Sequence, residues 1–209
     1  GYLHIDVTYL PKFNKKSSYL FVAIDRATRA LFYWIYDQKT ADNAVDFMDE
    51  VMDFFPFNIT HVLTDNGLEF TNRLIKSKKG EYCKKPSKMD VKCLENDIDH
   101  RLTKPATPKT NGMVERVNGT IKNNTILRTD YQNQQEMKQD LIDFLIAYNL
   151  YRRHGSLRKE INVKTPIQAV HKWYQLNPDL FIRNPDSFER KILNLKKQSS
   201  QRHQQPCET

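Results

Sequence analysis

Three acidic residues stand in settings that could bring their side chains together. They are Asp6 in Leu3-His4-Ile5-Asp6-Val7-Thr8, Asp65 in Leu63-Thr64-Asp65-Asn66-Gly67, and Glu115 in Asn111-Gly112-Met113-Val114-Glu115-Arg116. The first two end apolar, strand-like runs. The third falls one turn into a helix opened by Asn-Gly. Three carboxylates gathered at one point can hold two divalent cations, since Mg²⁺ and its relatives take oxygen donors and keep several waters. A pair of such ions is a general device for displacing an alcohol or a water at a phosphodiester. Taken singly, each acid has a plainer reading: a strand-end cap for Asp6, turn chemistry for Asp65-Asn66-Gly67, a solvated helix residue for Glu115. Their order and settings, taken as a set, point to metal-assisted phosphoryl transfer.

The elements that must position these acids are legible in the hydrophobic pattern. Leu3, Ile5 and Val7 alternate against His4, Asp6 and Thr8, which predicts a strand over 2–9. Tyr19 to Ile24 is nearly continuous in apolar residues, as a strand buried on both faces would be. Asp25-Arg26-Ala27-Thr28 reads as a turn, and 30–36 as an aromatic-rich third strand completing an antiparallel meander. Thr40 is a candidate N-cap for a helix whose apolar stripe runs from Ala44 to Phe55. A short strand over 60–64 follows, parallel to an earlier one. Residues 68–75 suit a short helix, and 76–92 is a lysine-rich insertion or long loop. Residues 93–97 suit a helix and 98–102 a last strand. Helices are predicted over 111–129, 134–150 and 165–174, the last with Pro166 at its first position. From Lys196 on, the chain is rich in Gln, Ser and Lys and is expected to lack order. This order of elements is that of an α/β fold of the ribonuclease H type, a mixed five-stranded sheet flanked by helices.

Composition sets the bounds. A chain of 209 residues with 39% hydrophobic and 28% charged residues can bury a core without staples. No apolar run approaches the roughly 20 residues of a membrane span. Three separated cysteines, Cys83, Cys93 and Cys207, point to reduced thiols and a cytoplasmic setting. The formal net charge of +8 favours a nucleic acid among the anionic partners. The chain begins at Gly1, and its first methionine is Met48, which reads as a fragment with sequence missing upstream.

With the motifs placed in order, the chain resembles the catalytic cores of DDE transposases and integrases, most closely those of bacterial insertion-sequence transposases. The residues that carry the resemblance are His4-Ile5-Asp6, Val22-Ala23-Ile24-Asp25-Arg26, Leu63-Thr64-Asp65-Asn66-Gly67 with Glu69-Phe70, and Pro108 to Arg116 with Asn118-Gly119. Tyr148-Asn149, Arg152, His154, Leu157 and Thr165-Pro166 follow. The resemblance covers about residues 2–181. It implies a core over 1–181, with a basic insertion at 76–92 and a helical part at 134–181, followed by an extension over 182–209 disordered toward its end. It implies a DDE-type polynucleotidyl transferase that cleaves DNA and transfers strands, with two Mg²⁺ or Mn²⁺ ions held by Asp6, Asp65 and Glu115 in the DNA-bound state. Implied partners are the DNA element ends, the target DNA and a second copy of the chain, with no membrane and no small-molecule substrate. A bacterial, nucleoid-associated location goes with this, as does an upstream helix-turn-helix region outside this chain.

Glu115, Asn118 and Lys122 lie at i, i+3 and i+7 and share one helix face. The resemblance places Lys122, Asn118, Arg116, Asn66 and Lys109 against DNA. The lysines of 76–92 either track phosphates or are solvated. Glu69 is either a partner behind the site or a surface acid. His4 either orients a metal-bound water or is simply packed. The spacing of Cys83, Cys93 and His100 lacks the close ligand pair of a zinc site. Two other readings stay open: a silent DNA-binding module, marked by loss of metal binding, and a general metal nuclease of the ribonuclease H kind, which would cut RNA in a hybrid and join nothing.

Overall fold

The computed structural model describes residues 1–76, 80–103 and 112–201. Five strands form one sheet in the order β3-β2-β1-β4-β5. They are β1 (Tyr2–Tyr9), β2 (Tyr19–Asp25), β3 (Leu31–Tyr36), β4 (His61–Thr64) and β5 (Asp99–Leu102). The meander β1-β2-β3 is antiparallel, whereas β1-β4 and β4-β5 pair in parallel. This is the expected mixed sheet. The alternation in β1 separates its faces: Leu3 and Ile5 are fully buried on one, and His4 and Asp6 lie on the other.

Helix α1 (Ala41–Phe54) covers the Leu3–Ile5 face with Ala44, Phe47, Met48 and Val51. Thr40 caps it, accepting from the Asn43 N–H at 3.2 Å. The rings of Phe21, Phe32 and Phe54 gather around Phe47 and one another in edge and stacked contacts. The opposite face is covered by α3 (Gly112–Asn124) and α4 (Gln134–Tyr151). Val114, Val117 and Ile121 point inward from α3 as their spacing requires. Strand β3 is a sheet edge, and α4 blunts it. Asn149, fully buried, accepts from the Leu31 N–H at 2.9 Å and donates to the Leu31 carbonyl at 2.8 Å, standing in for a strand neighbour.

Several expectations need correction. Residues 68–75 form two successive turns, closed by the Phe70 N–H on the Gly67 carbonyl and the Ile75 N–H on the Asn72 carbonyl, with no helix. Phe70, fully buried against Phe21, draws the chain inward, and Thr71 Oγ1 accepts from the Arg73 N–H at 3.1 Å, a local bond that competes with helix propagation. The basic insertion is also not a loop throughout. After an isolated bridge between Lys76 and Tyr82 it becomes α2 (Lys88–Glu95), opened by a Ser87–Asp90 capping box. Lys92 pairs with Asp49 at 2.5 Å and Lys88 with Asp42, so these lysines bind α1. Helix α3 stops at Asn124, short of 129, where Thr125 Oγ1 turns back to the Ile121 carbonyl at 2.8 Å.

Three further α-helices follow among the described residues, α5 (Gly155–Ile161), α6 (Pro166–Leu176) and α7 (Pro185–Gln201), with a 3-10 turn at Pro178–Leu180 between the last two. The first and last have no counterpart among the helices the sequence predicts. Helix α7 runs past Lys196, beyond the expected limit of order, and its Phe188, Ile192 and Leu195 join the main core. Residues 202–209 lie outside the described residues. Among the described residues, no helix is long and apolar enough to cross a membrane.

Candidate active site

The parallel register of β1 and β4 delivers two of the three acids. Leu3 faces Val62 and His4 faces Leu63. Two residues further on, Asp6 lies within β1 and Asp65 just past the end of β4, near enough for the Asp65 charge to act on Asp6. Helix α3 crosses the sheet face that carries Asp6. Its first turn carries Glu115, where the helix N-terminus suits an acid. One turn on, the buried Asn118 donates from Nδ2 to Asp6 Oδ2 at 2.7 Å. Asp65 is held from its own loop, with Oδ1 accepting from the Gly67 N–H at 3.0 Å. Behind it, His100 spans Thr64 Oγ1 (2.9 Å) and Asp90 Oδ1 (2.8 Å). Burial holds the His100 pKa down against the pull of Asp90.

The electrostatics register the convergence. The Asp6 pKa is raised to about 6, by burial first and the Asp65 charge second. Glu115 pushes the same way, while the Val7 N–H and the Lys39 ammonium push back. Lys39 precedes α1 and pairs with Glu69 at 3.0 Å, and the Glu69 carboxylate is only 2% exposed. A Cβ on Gly67 would lie 2.6 Å from both Glu69 carboxylate oxygens, so the glycine makes room for that buried acid. Of the two readings open for Glu69 in the sequence, the structure selects the buried partner over the surface acid. Lys39 is absent from the residues singled out by sequence. The only signal for it is the acid beside Phe70, since a buried carboxylate requires a cation. Among the described residues, no three His, Cys, Asp or Glu side chains are gathered tightly enough to cage an ion as they stand. Glu115 is exposed and outlying.

The residues expected against DNA divide. Asn118 is buried, with its amide nitrogen donating to Asp6. The Asn66 amide nitrogen is likewise spent, donating to the Thr103 carbonyl at 3.0 Å and tying the β4 loop to the end of β5. Arg116 is exposed and lines a cleft whose walls do not include the three acids. Lys122 is half-buried in the last turn of α3. Lys109 lies outside the described residues. His4 is buried with its ring against Tyr2 at 5.5 Å. Cys93 is buried and Cys83 half-exposed.

Comparison with known proteins places this geometry. Two family models, each described as an integrase core domain, match residues 1–108 and 96–161. "Putative integrase ORF3" of Spiroplasma virus SpV1-C74 is 30% identical over 178 residues, covering 82% of this chain and 48% of the viral protein. The chain thus spans about half the length of that relative. The BIV integrase catalytic core superposes with a TM-score of 0.59 at 18% identity, over 84% of this chain and 97% of that one. The HTLV-2 integrase catalytic core in complex with magnesium, in trimeric form, gives 0.55 at 22% identity, over 81% and 95%. Its dimeric form gives 0.54. At these identities the solved structures establish the shared, ribonuclease H-like fold.

Proposed function

We propose that this chain, which belongs to the integrase core domain family, is the catalytic core of an integrase or transposase that cuts and joins DNA strands. The reading is supported by the parallel register of β1 and β4, which brings Asp6 and Asp65 to the same end of the sheet, with Glu115 in the first turn of the helix that crosses that face. Three carboxylates form an oxygen-only donor set suited to Mg²⁺ or Mn²⁺. Asp6 and Asp65 would hold the ions, with Glu115 completing the set.

Two bound ions supply activation of the attacking oxygen and neutralisation of the leaving 3′ oxygen. The remaining work falls to the chain. Asn118 fixes the orientation of Asp6. The Asx turn through the Gly67 N–H fixes Asp65. The Lys39–Glu69 pair places a cation beside the acids and anchors the Asp65 loop from below. No side chain needs to form a covalent intermediate, because a DNA 3′-OH or a water serves as nucleophile. The net charge of +8 suits the polyanionic substrate. Assembly with a second copy is part of the proposal, supported by the dimeric and trimeric forms of the HTLV-2 core. So is a nucleoid-associated location in a bacterial cell, where a DNA substrate would be met.

The test is nicking and joining of a preformed branched DNA in Mn²⁺, with this chain and with Glu115→Gln. Metal-dependent joining that disappears in the variant is the expected result. Joining that survives in Glu115→Gln refutes the assignment. Cleavage of RNA in a hybrid, with no joining of DNA, would replace it with the nuclease reading.

A further inference from the structure

A second feature of the carboxylate-bearing face lies outside the site described above. The sheet row Ile24–His4–Leu63–Arg101, fixed by the strand registers, is the row next to Asp6 and Asp65. Two residues of strand separate the rows, about 7 Å. This row floors a cleft of about 970 Å³ between the start of α3 and the α4–α5 turn. Six arginines line it: Arg26, Arg29, Arg101, Arg116, Arg152 and Arg153; no Asp or Glu does.

The arginines come from four separate places in the chain, the β2–β3 turn, β5, α3 and the α4–α5 turn, so this is not one charged helix face. Two are already neutralised, Arg29 by Glu160 at 2.9 Å and Arg101 by Asp99 at 2.7 Å. Among the described residues, Arg26, Arg116, Arg152 and Arg153 pair with no carboxylate. Tyrosine rings hold the guanidiniums in place. Arg26 and Arg101 lie 5.7 and 6.0 Å from the Tyr2 ring centre, and Arg152 lies 5.7 Å from that of Tyr148. The concentrated positive field is felt by His154 in the same wall, whose pKa falls to about 4 through burial first and then through Arg152 and Arg29.

We propose that this arginine-lined cleft is a groove for the phosphate backbone of the DNA strand that runs into the Asp6–Asp65–Glu115 site. Planar guanidiniums held at fixed angles match phosphate oxygens in bidentate fashion, and an un-neutralised cluster of four calls for a polyanion. The choice of DNA over an acidic protein rests on the function proposed above, because a strand being cut at Asp6 must leave along an adjacent row. Arg116, directly after Glu115, sits where groove and carboxylates meet.

The experiment is equilibrium binding of a labelled duplex to the full chain in chelator, titrated with salt, for wild type and for the combined Arg26→Gln, Arg152→Gln, Arg153→Gln variant. Removing one arginine from a phosphate flattens the slope of log K against log salt by about 0.9, so a slope shallower by about 2–3 is expected, with binding weaker by at least about tenfold near 0.1 M salt. An unchanged slope and affinity overturns the groove. Arg153→Glu alone, at an exposed side chain, repeats the test if the triple variant melts early, and must also weaken binding. Polyglutamate is the competing probe. If its binding depends on these arginines while DNA binding does not, the groove belongs to an acidic partner and the inference fails. A Mn²⁺-induced rise in melting temperature, which depends on Asp6 and not on the arginines, is read in parallel. Its absence in the wild type alongside arginine-dependent DNA binding would sink the catalytic reading and leave the groove standing.

Discussion

Replacing Asp6 by asparagine should make the protein more stable at neutral pH when divalent cations are chelated. In the folded chain the Asp6 pKa rises from an ordinary 3.8 to about 6, because the carboxyl is largely buried and Asp65 and Glu115 face it. A carboxyl whose folded pKa lies above its unfolded value favours folding only when protonated. Its contribution is therefore fully present below about pH 4, declines as pH rises, and is gone above about pH 6. At about 1.4 kcal/mol per pH unit the full displacement corresponds to about 3 kcal/mol, and residual solvent access reduces this to about 1–2 kcal/mol. In Asp6→Asn the new amide keeps an oxygen beside the Asn118 donor and carries no charge to repel. For a chain of this size, about 1–2 kcal/mol amounts to roughly 3–7 °C in melting temperature. The assay is thermal unfolding in EDTA from about pH 4 to about pH 7.5, read as the difference between variant and wild type. The difference should be near zero at the acid end and grow to its full value by about pH 7. Added Mn²⁺ should then raise the wild type and leave the variant unmoved, since only the intact set gains binding free energy on folding. A variant equal to or less stable than the wild type at the alkaline end in EDTA would refute the account of converging carboxylates.

Two further outcomes follow from the same geometry. Asn149→Leu leaves the Leu31 N–H and carbonyl unpaired at a buried edge and should cost about 2–4 kcal/mol in urea unfolding; a cost below about 0.5 kcal/mol, as at a neutral surface site, would show that the edge finds other partners. Gly67→Ala pushes a Cβ into the Glu69 carboxylate and Glu69→Gln removes the charge that Lys39 meets. Each should lose about 1–3 kcal/mol of stability together with joining activity, and the double variant should lose little more than either alone; full additivity would mean that the two do not act through one pair.

The order of strands and the helix stripes could be read from the chain because each depends on local pattern. Alternation in Leu3-His4-Ile5-Asp6 sets which face Asp6 occupies. Parallel pairing of β4 with β1 follows from the intervening helix. The misses have a common origin in partners distant in sequence. Residues 76–92 read as loop because they are polar, yet Ser87 caps a helix whose lysines answer the acids of α1, more than forty positions earlier. Residues 182–209 read as an extension that loses order toward its end, yet Phe188 meets Phe54 and Phe55 at the far end of α1.

By itself the sequence determined the mixed sheet and the face on which Asp6 lies, since period and turn chemistry are properties of neighbouring residues. The tertiary structure alone decided how those acids are held. Asn118 donates to Asp6, Asn66 donates to the Thr103 carbonyl, and Glu69 is buried against Lys39. It also decided that six arginines from scattered positions share one cleft. Hydrogen bonds and charge pairs act across a few ångströms of space, and separation along the chain carries no record of that distance until strands and helices have packed.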